Sequence, residues 1–376
     1  MLDSKHDCCA LVIKSENQTM PYRILPGIFL VFATVWVAHA QPADELTPLR
    51  EQAELTEQDR NTVREFVSTR VRQIVGDDAL ARADATRQLR AGFAGGEAFK
   101  RAYGEAAIEI IGSAFRKADL LPATRLLATL SVFELPASRG VFLDALKDER
   151  VAVRAAGAIG LRRLRAALAT AGGEAFTGTI AALREAASAE RSSDTLRTIY
   201  AAMDYAQIPG TPDQKVPALA VLAVLDQRGR LYREGEVPAL GADDAGLMVA
   251  ARYLEGYDAD QRRQLTVAAA SMVKRAIEAY KRQKLYEVEN RGSNREIIEY
   301  RDAMERLVLI GETQLLSKLL SPPKPEPSVY DKMRRVDMPG MTLEWKDRWV
   351  ELLRNAVNQD FSIEALPESE ASAGGE

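Results

Sequence analysis

The sequence predicts an all-α protein with no substantial β-sheet, in which helical hairpins stack along one axis. Three observations carry this. Apolar residues recur at three- and four-residue spacing through most of the chain, with no run of alternating β-branched residues. Ala, Leu and Arg are abundant while aromatics make up 6%, the mixture of closely packed helices with charged outer faces. The hexapeptide Ala94-Gly-Gly-Glu-Ala-Phe99 returns as Ala171-Gly-Gly-Glu-Ala-Phe176, 77 residues later. Half that interval, about 38, falls in the range of two-helix repeat units. A length of 376 residues ordinarily suggests two domains. A stack grows without that division, because each unit needs only its neighbours to bury its core.

Taken in order, residues 1–19 are polar and lead to a second Met, which makes Met20 the expected start and 1–19 a polar extension. Met20-Pro-Tyr-Arg23 is a short basic opening, Ile24 to Val37 is apolar, and Ala38-His39-Ala40 sets small residues just before Gln41-Pro42. That is the order of a secretory signal peptide over 20–40. An uncleaved anchor is the alternative, but the run is shorter than a span of about 18 residues or more needs. No later apolar run approaches that length, so the mature chain is expected to be exported and soluble, with no transmembrane segment.

The helices follow. Thr56 to Val75 opens on Thr56 as N-cap and turns Val63, Phe66, Val67, Val71, Ile74 and Val75 inward. Ala79 to Phe93 returns. Glu97–Lys117 pairs with Leu121–Val132, Ser138–Leu146 with Val151–Leu168, and Glu174–Ala187 with Asp194–Tyr205. Both hexapeptide copies sit where one helix ends on Gly and the next begins with an acidic turn. No Lys-Ser/Thr follows the Gly pair and no strand precedes it, which argues against a phosphate loop. The repeats are expected to span 41–206. Less regular hairpins fill 207–320: Val216–Tyr232 with Asp243–Tyr253 after a Pro209-Gly-Thr-Pro212 turn, then Asp260–Tyr286 with Arg295–Leu320.

Past Leu320, Ser321-Pro-Pro-Lys-Pro-Glu-Pro327 reads as extended, giving a linker over 321–340. An amphipathic helix over 341–358 carries Trp345, Trp349, Leu352, Leu353 and Val357 on one face. It is expected either to cap the exposed end of the stack or to dock on a partner or membrane surface through Trp345 and Trp349. The cap is favoured because the linker is short enough to fold back. Residues 359–376 form an acidic, Gly- and Ser-containing tail, expected to be disordered.

Between Leu146 and Leu164 the chain reads L-K-D-E-R-V-A-V-R-A-A-G-A-I-G-L-R-R-L, a turn Asp, an Arg six residues on, and a helix whose buried face is Ala, Gly and Ile. This resembles the second half of a HEAT repeat, clearest over 136–168 and in phase from Glu97 to Tyr205. The resemblance implies a right-handed α-solenoid, an Asp148–Arg154 ladder along the stack, and a scaffold or adaptor role with no transferable catalytic motif. The chain departs from the pattern at 207–241 and in the overlong last hairpin, so the resemblance extends no further than Tyr205.

Composition excludes much chemistry. His6, Cys8, Cys9 and His39 are the only His and Cys, and all fall before Gln41. The mature chain therefore holds no disulfide, no thiolate nucleophile, no Cys/His zinc site and no Ser-His-Asp triad. No cofactor is expected. An exported chain without disulfides fits a bacterial envelope, in the periplasm or outside the cell. The net charge is −4, and the leader holds three residues of each sign, so the balance does not change on cleavage. That argues against a nucleic-acid binder. Asp77-Asp78 and Asp243-Asp244 could be paired carboxylates or calcium ligands, but each precedes a helix, where Asp caps exposed amides, and neither has calcium-loop spacing. Arg162, Arg163 and Arg165 crowd a helix end, either as a solvated face favoured by the dipole or as a basic patch for an acidic protein, polysaccharide or headgroup.

The expected function is a non-catalytic interaction scaffold that holds another envelope protein or an envelope polymer. The alternative is an all-α carbohydrate-cleaving enzyme using two carboxylates. Against it stands the absence from the sequence of any Trp or Tyr cluster near a carboxylate pair within the helical array.

Overall fold

Local chemistry starts the first helix where the sequence places it. In the computed structural model, which describes residues 45–236, 241–288, 294–321 and 328–363, Thr56 forms a capping box with Asp59 ahead of α1 (Glu57–Val75). The Thr56 hydroxyl accepts from the Asp59 amide at 3.2 Å, and the Asp59 carboxylate accepts from the Thr56 amide at 3.0 Å. Asp78 caps α2 (Ala79–Gly92), accepting from the amides of Leu80 and Ala81. Val63, Phe66, Val67, Val71 and Ile74 are buried on α1, whereas Val75, expected inside, ends the helix at 37% exposure. The expected polar extension, signal peptide, Pro-rich 322–327 and tail from 364 lie outside the described residues.

The hairpins continue as α3 (Glu97–Ala114) with α4 (Leu120–Val132), α5 (Arg139–Ala145) with α6 (Val151–Arg163), and, after a short α7 (Arg165–Ala171), α8 (Gly173–Ala189) with α9 (Ser193–Met203). Then come α10 (Lys215–Glu234) with α11 (Asp243–Ala251) and α12 (Ala259–Arg282) with α13 (Arg295–Ile310). No strand occurs among the described residues, and no helix there is long and apolar enough to cross a membrane.

The hairpins stack in two layers. The second helices pack in succession, α2 on α4, α4 on α6, α6 on α9, α9 on α11 and α11 on α13. The first helices form the other layer, with α1 on α3, α8 on α10 and α10 on α12. Where α5 is short, Arg139 carries the connection by donating to the Thr179 hydroxyl of α8 at 2.7 Å. Packing of α8 on α10 and of α9 on α11 carries the stack past Tyr205.

The Ala/Gly face of α6 has a steric cause. A Cβ on Gly160 would lie 2.2 Å from the Phe142 ring, and one on Gly157 would lie 2.9 Å from the Phe142 carbonyl. Only glycine lets α5 and α6 approach that closely. Both hexapeptide copies do the same work: Phe99 and Phe176, near the starts of α3 and α8, are fully buried.

Two departures are local. The helix expected over 151–168 breaks at Leu164, where the Arg165 side chain donates to the Arg162 carbonyl and to the Ala201 carbonyl of α9. The expected linker holds helices instead: α15 (Ser328–Arg334) and the start of α16 (Met338–Glu344). Their signal was the buried pair Val329 and Met333, one turn apart. After α13 the chain runs through a π-helical stretch (Gly311–Leu316) into α14 (Ser317–Leu320), and a second π stretch (Trp345–Val350) joins α16 to α17 (Glu351–Val357). The carboxylate of Glu312, itself buried, accepts from the Val329 and Tyr330 amides at 3.2 Å each and so caps α15. These C-terminal helices pack on α12, α13 and α14 and close that end of the stack.

Candidate functional site

Arginines tie each hairpin to the next. Arg150 donates to the carbonyls of Ala118 (2.6 Å) and Phe115 (3.3 Å) in the preceding unit. Arg154 grips both oxygens of Glu190 in the following unit, at 2.8 and 3.0 Å. The expected ladder is therefore rearranged. The Asp148 carboxylate pairs with Arg150 at 2.8 Å, and Arg154 meets Asp148 only through its backbone carbonyl, at 3.0 Å. Hydrogen bonding from Arg150 holds Asp148 below the usual carboxylate range. Burial alone would push Glu190 up, but Arg154 and the amides of Ser192 and Arg191 bring it below its ordinary value.

Trp345 and Trp349 are both fully buried inside the C-terminal cap. The Trp345 indole donates to the Phe361 carbonyl at 2.9 Å, and the Trp349 indole donates to Glu312 at 3.2 Å. Neither ring faces solvent. Arg163 is exposed. Arg162 and Arg165 instead meet three arginines from other helices.

These five residues border a groove of about 690 Å³ across the second layer. Arg162 stands at the end of α6, Arg165 opens α7, Arg197 comes from α9, Arg252 follows α11, and Arg306 projects from α13. Against the five guanidinium groups stand two carboxylates, Asp204 and Asp244, an excess of three positive charges. The floor is apolar, with Ile208, Met248, Val249, Leu309 and Ile310. A guanidinium carries five N–H donors, and among the described residues few of these donate to protein acceptors. Arg165 turns Nε and Nη1 to the carbonyls of Arg162, Ala201 and Asp204. Arg252 holds Asp204 through Nη1, and Arg197 holds Asp244 and the Gly241 carbonyl through Nη2. Arg306 approaches Asp244 at 3.5 Å. Arg162 is exposed and joins no ion pair among the described residues. Burial lowers Arg165 from the ordinary arginine value, a partly desolvated cation facing the groove.

A buried polar pin fixes this floor. Asp243, fully buried, accepts from Arg228 through both Nε and Nη2 and from the Tyr232 hydroxyl at 2.7 Å. Tyr200 adds a longer contact at 3.4 Å. Burial raises both tyrosines well above their usual range. Capping was expected of both Asp doublets, and Asp78 does cap α2. Asp243 and Asp244 make no side-chain cap at α11. They join α11 to Arg228 of α10 and Arg197 of α9 instead.

A second hollow of about 660 Å³ lies between α12, α13 and α15 and shares Arg306 with the groove. It gathers Tyr280, Tyr286 and Tyr330 beside Asp302 and Glu305, a tyrosine–carboxylate neighbourhood that sequence reading missed because its members are spread over α12, the 3-10 turn Leu285–Glu287, α13 and α15. Both carboxylates are held by Arg301, at 2.7 and 3.7 Å, and Glu305 also accepts from the Tyr280 hydroxyl at 3.2 Å. Among the described residues no group of His, Cys, Asp and Glu is arranged to hold a metal ion.

A scan against protein-family models finds no match to this chain, and searches of the curated proteins and of the solved structures find none either.

Proposed function

We propose that this chain is an exported, non-catalytic scaffold of HEAT-like hairpins that holds a protein partner in the groove bordered by Arg162, Arg165, Arg197, Arg252 and Arg306. The supporting observation is the groove's unbalanced chemistry, an apolar floor bordered by five guanidinium groups against two carboxylates. Such a surface gains by taking on an anionic partner and steers its approach. Export rests on the sequence alone, on the Ala38-His39-Ala40 site after an apolar run. Two stacked layers suit the scaffold reading, since solenoids present long faces to partners.

In-cell crosslinking of the tagged full-length protein, with mass spectrometry of captured material and of the protein's own N-terminus, tests this reading. Reproducible capture of one or two exported proteins with a mature end at Gln41 is the expected result. Capture of cytoplasmic proteins, or an intact leader, contradicts export; no captured protein contradicts the scaffold.

A further inference from the structure

The groove's two chemistries restrict what can fill it. Resting on the scaffold reading above, we infer that its ligand is an acidic amphipathic peptide segment, apolar on one side and carrying Asp or Glu on its flanks, lying from Arg162 to Arg306. The floor residues are the apolar half of the match, with Met248 central among them; Met repacks easily around apolar side chains of different shape. Outside the lining, Ile159 is 42% exposed and lies one turn before Arg162 on α6, on the same helix face.

The arginines are the other half. By the packing order of their helices, α6 on α9, α9 on α11 and α11 on α13, Arg162 and Arg165 stand at one end, Arg306 at the other, and Arg197 and Arg252 between them. The protein's own acceptors in the groove, Asp204 and Asp244, already serve Arg252, Arg197 and Arg306. A polyanion without apolar side chains would satisfy the guanidinium groups but leave the floor wet. A purely apolar helix would bury cations without counter-charges, which is strongly unfavourable. A segment with apolar residues at helical spacing and flanking carboxylates satisfies both, the helix-in-groove mode with charge-assisted bonds added. Arg306 also borders the second hollow, so a segment overrunning the groove meets Arg334 and Tyr330.

The test is selection of random 16-residue peptides displayed on phage against the full chain. Affinities of the enriched peptides are then measured on the wild type, on the double variant R162E/R306E and on M248D. Both arginines are exposed, and circular dichroism checks that each variant keeps its helices. The expected peptides carry Asp or Glu around apolar residues at three- and four-residue spacing. They bind R162E/R306E and M248D at least about ten-fold more weakly, and the wild type more weakly as salt rises. Enriched peptides without acidic residues, or with equal affinity for all three proteins, overturn the inference. So does failure to enrich any peptide while polygalacturonate binds, which would name a polymer. If the enriched peptides are non-acidic yet lose affinity on M248D, the acidic ligand fails while the docking groove survives. If no peptide binds and in-cell crosslinking captures no protein, both fall.

Discussion

A single methyl group separates two glycines that look alike in sequence. Gly160→Ala places a Cβ 2.2 Å from the Phe142 ring, so urea denaturation should show a loss of about 1–3 kcal/mol. Gly140→Ala, with nothing within 4 Å of the new atom, should leave stability unchanged or raise it by up to about 1 kcal/mol, since Ala is the better helix former. Asp243→Asn removes the carboxylate that Arg228, 3% exposed, grips through two donors, and should cost about 3–5 kcal/mol on the same measurement. Sequence made Asp243 a helix cap because Asp before a helical run usually is one. Its true partner, Arg228, sits on another helix. The same limit rearranged the Asp148–Arg154 ladder. The spacing was visible, but Glu190, buried in the next turn, takes Arg154's fork more fully than Asp148 can. A signal existed in the interval: Arg154 and Glu190 lie 36 residues apart, close to the repeat length the hexapeptide suggests.

Each helix pair was legible from its own periodicity, and so were the cap of α1 and the amphipathic face of α17. The cap helix α15 was not, because Pro-rich sequence hid its start and Glu312, which caps it, comes from a different element. That contact has a pH signature. Burial raises Glu312 above the ordinary glutamate value, outweighing the hydrogen bonds it accepts, so folding disfavours its charged form relative to the unfolded chain. Its contribution is complete below the ordinary glutamate range and declines as pH climbs through the folded value. In a chain carrying Trp36→Phe, emission from Trp345 and Trp349 reports the cap directly. Its urea midpoint should fall as pH rises through that window, and Glu312→Gln should flatten the fall. Asp148 and Glu190 act with the opposite sign. Both are held below their ordinary values, so their stabilisation is present above that range and is lost as pH falls through the folded values. Far-UV circular dichroism in urea should therefore show acid destabilisation of the stack, shallower in Glu190→Gln.

At the scale of the whole stack, function depends on what no single helix contains. Arg162 and Arg165 read as a basic cluster in sequence, but Arg197, Arg252 and Arg306 are isolated in the chain and gather with them only when four hairpins align. Conversely, Trp345 and Trp349, which the sequence offered either to a cap or to a docking partner, donate to Phe361 and Glu312 at the C-terminal end of the stack. A partner held in the groove meets the second layer of helices and leaves the first free. In cells, a photoreactive side chain at Met248 in the groove floor is therefore compared with one at Leu219, 44% exposed on α10 of the first layer. The expected result is a discrete crosslinked species at 248, absent at 219 and lost when R162E/R306E is added. Equal crosslinking at the two positions, or a product at 248 indifferent to the charge reversal, would contradict it.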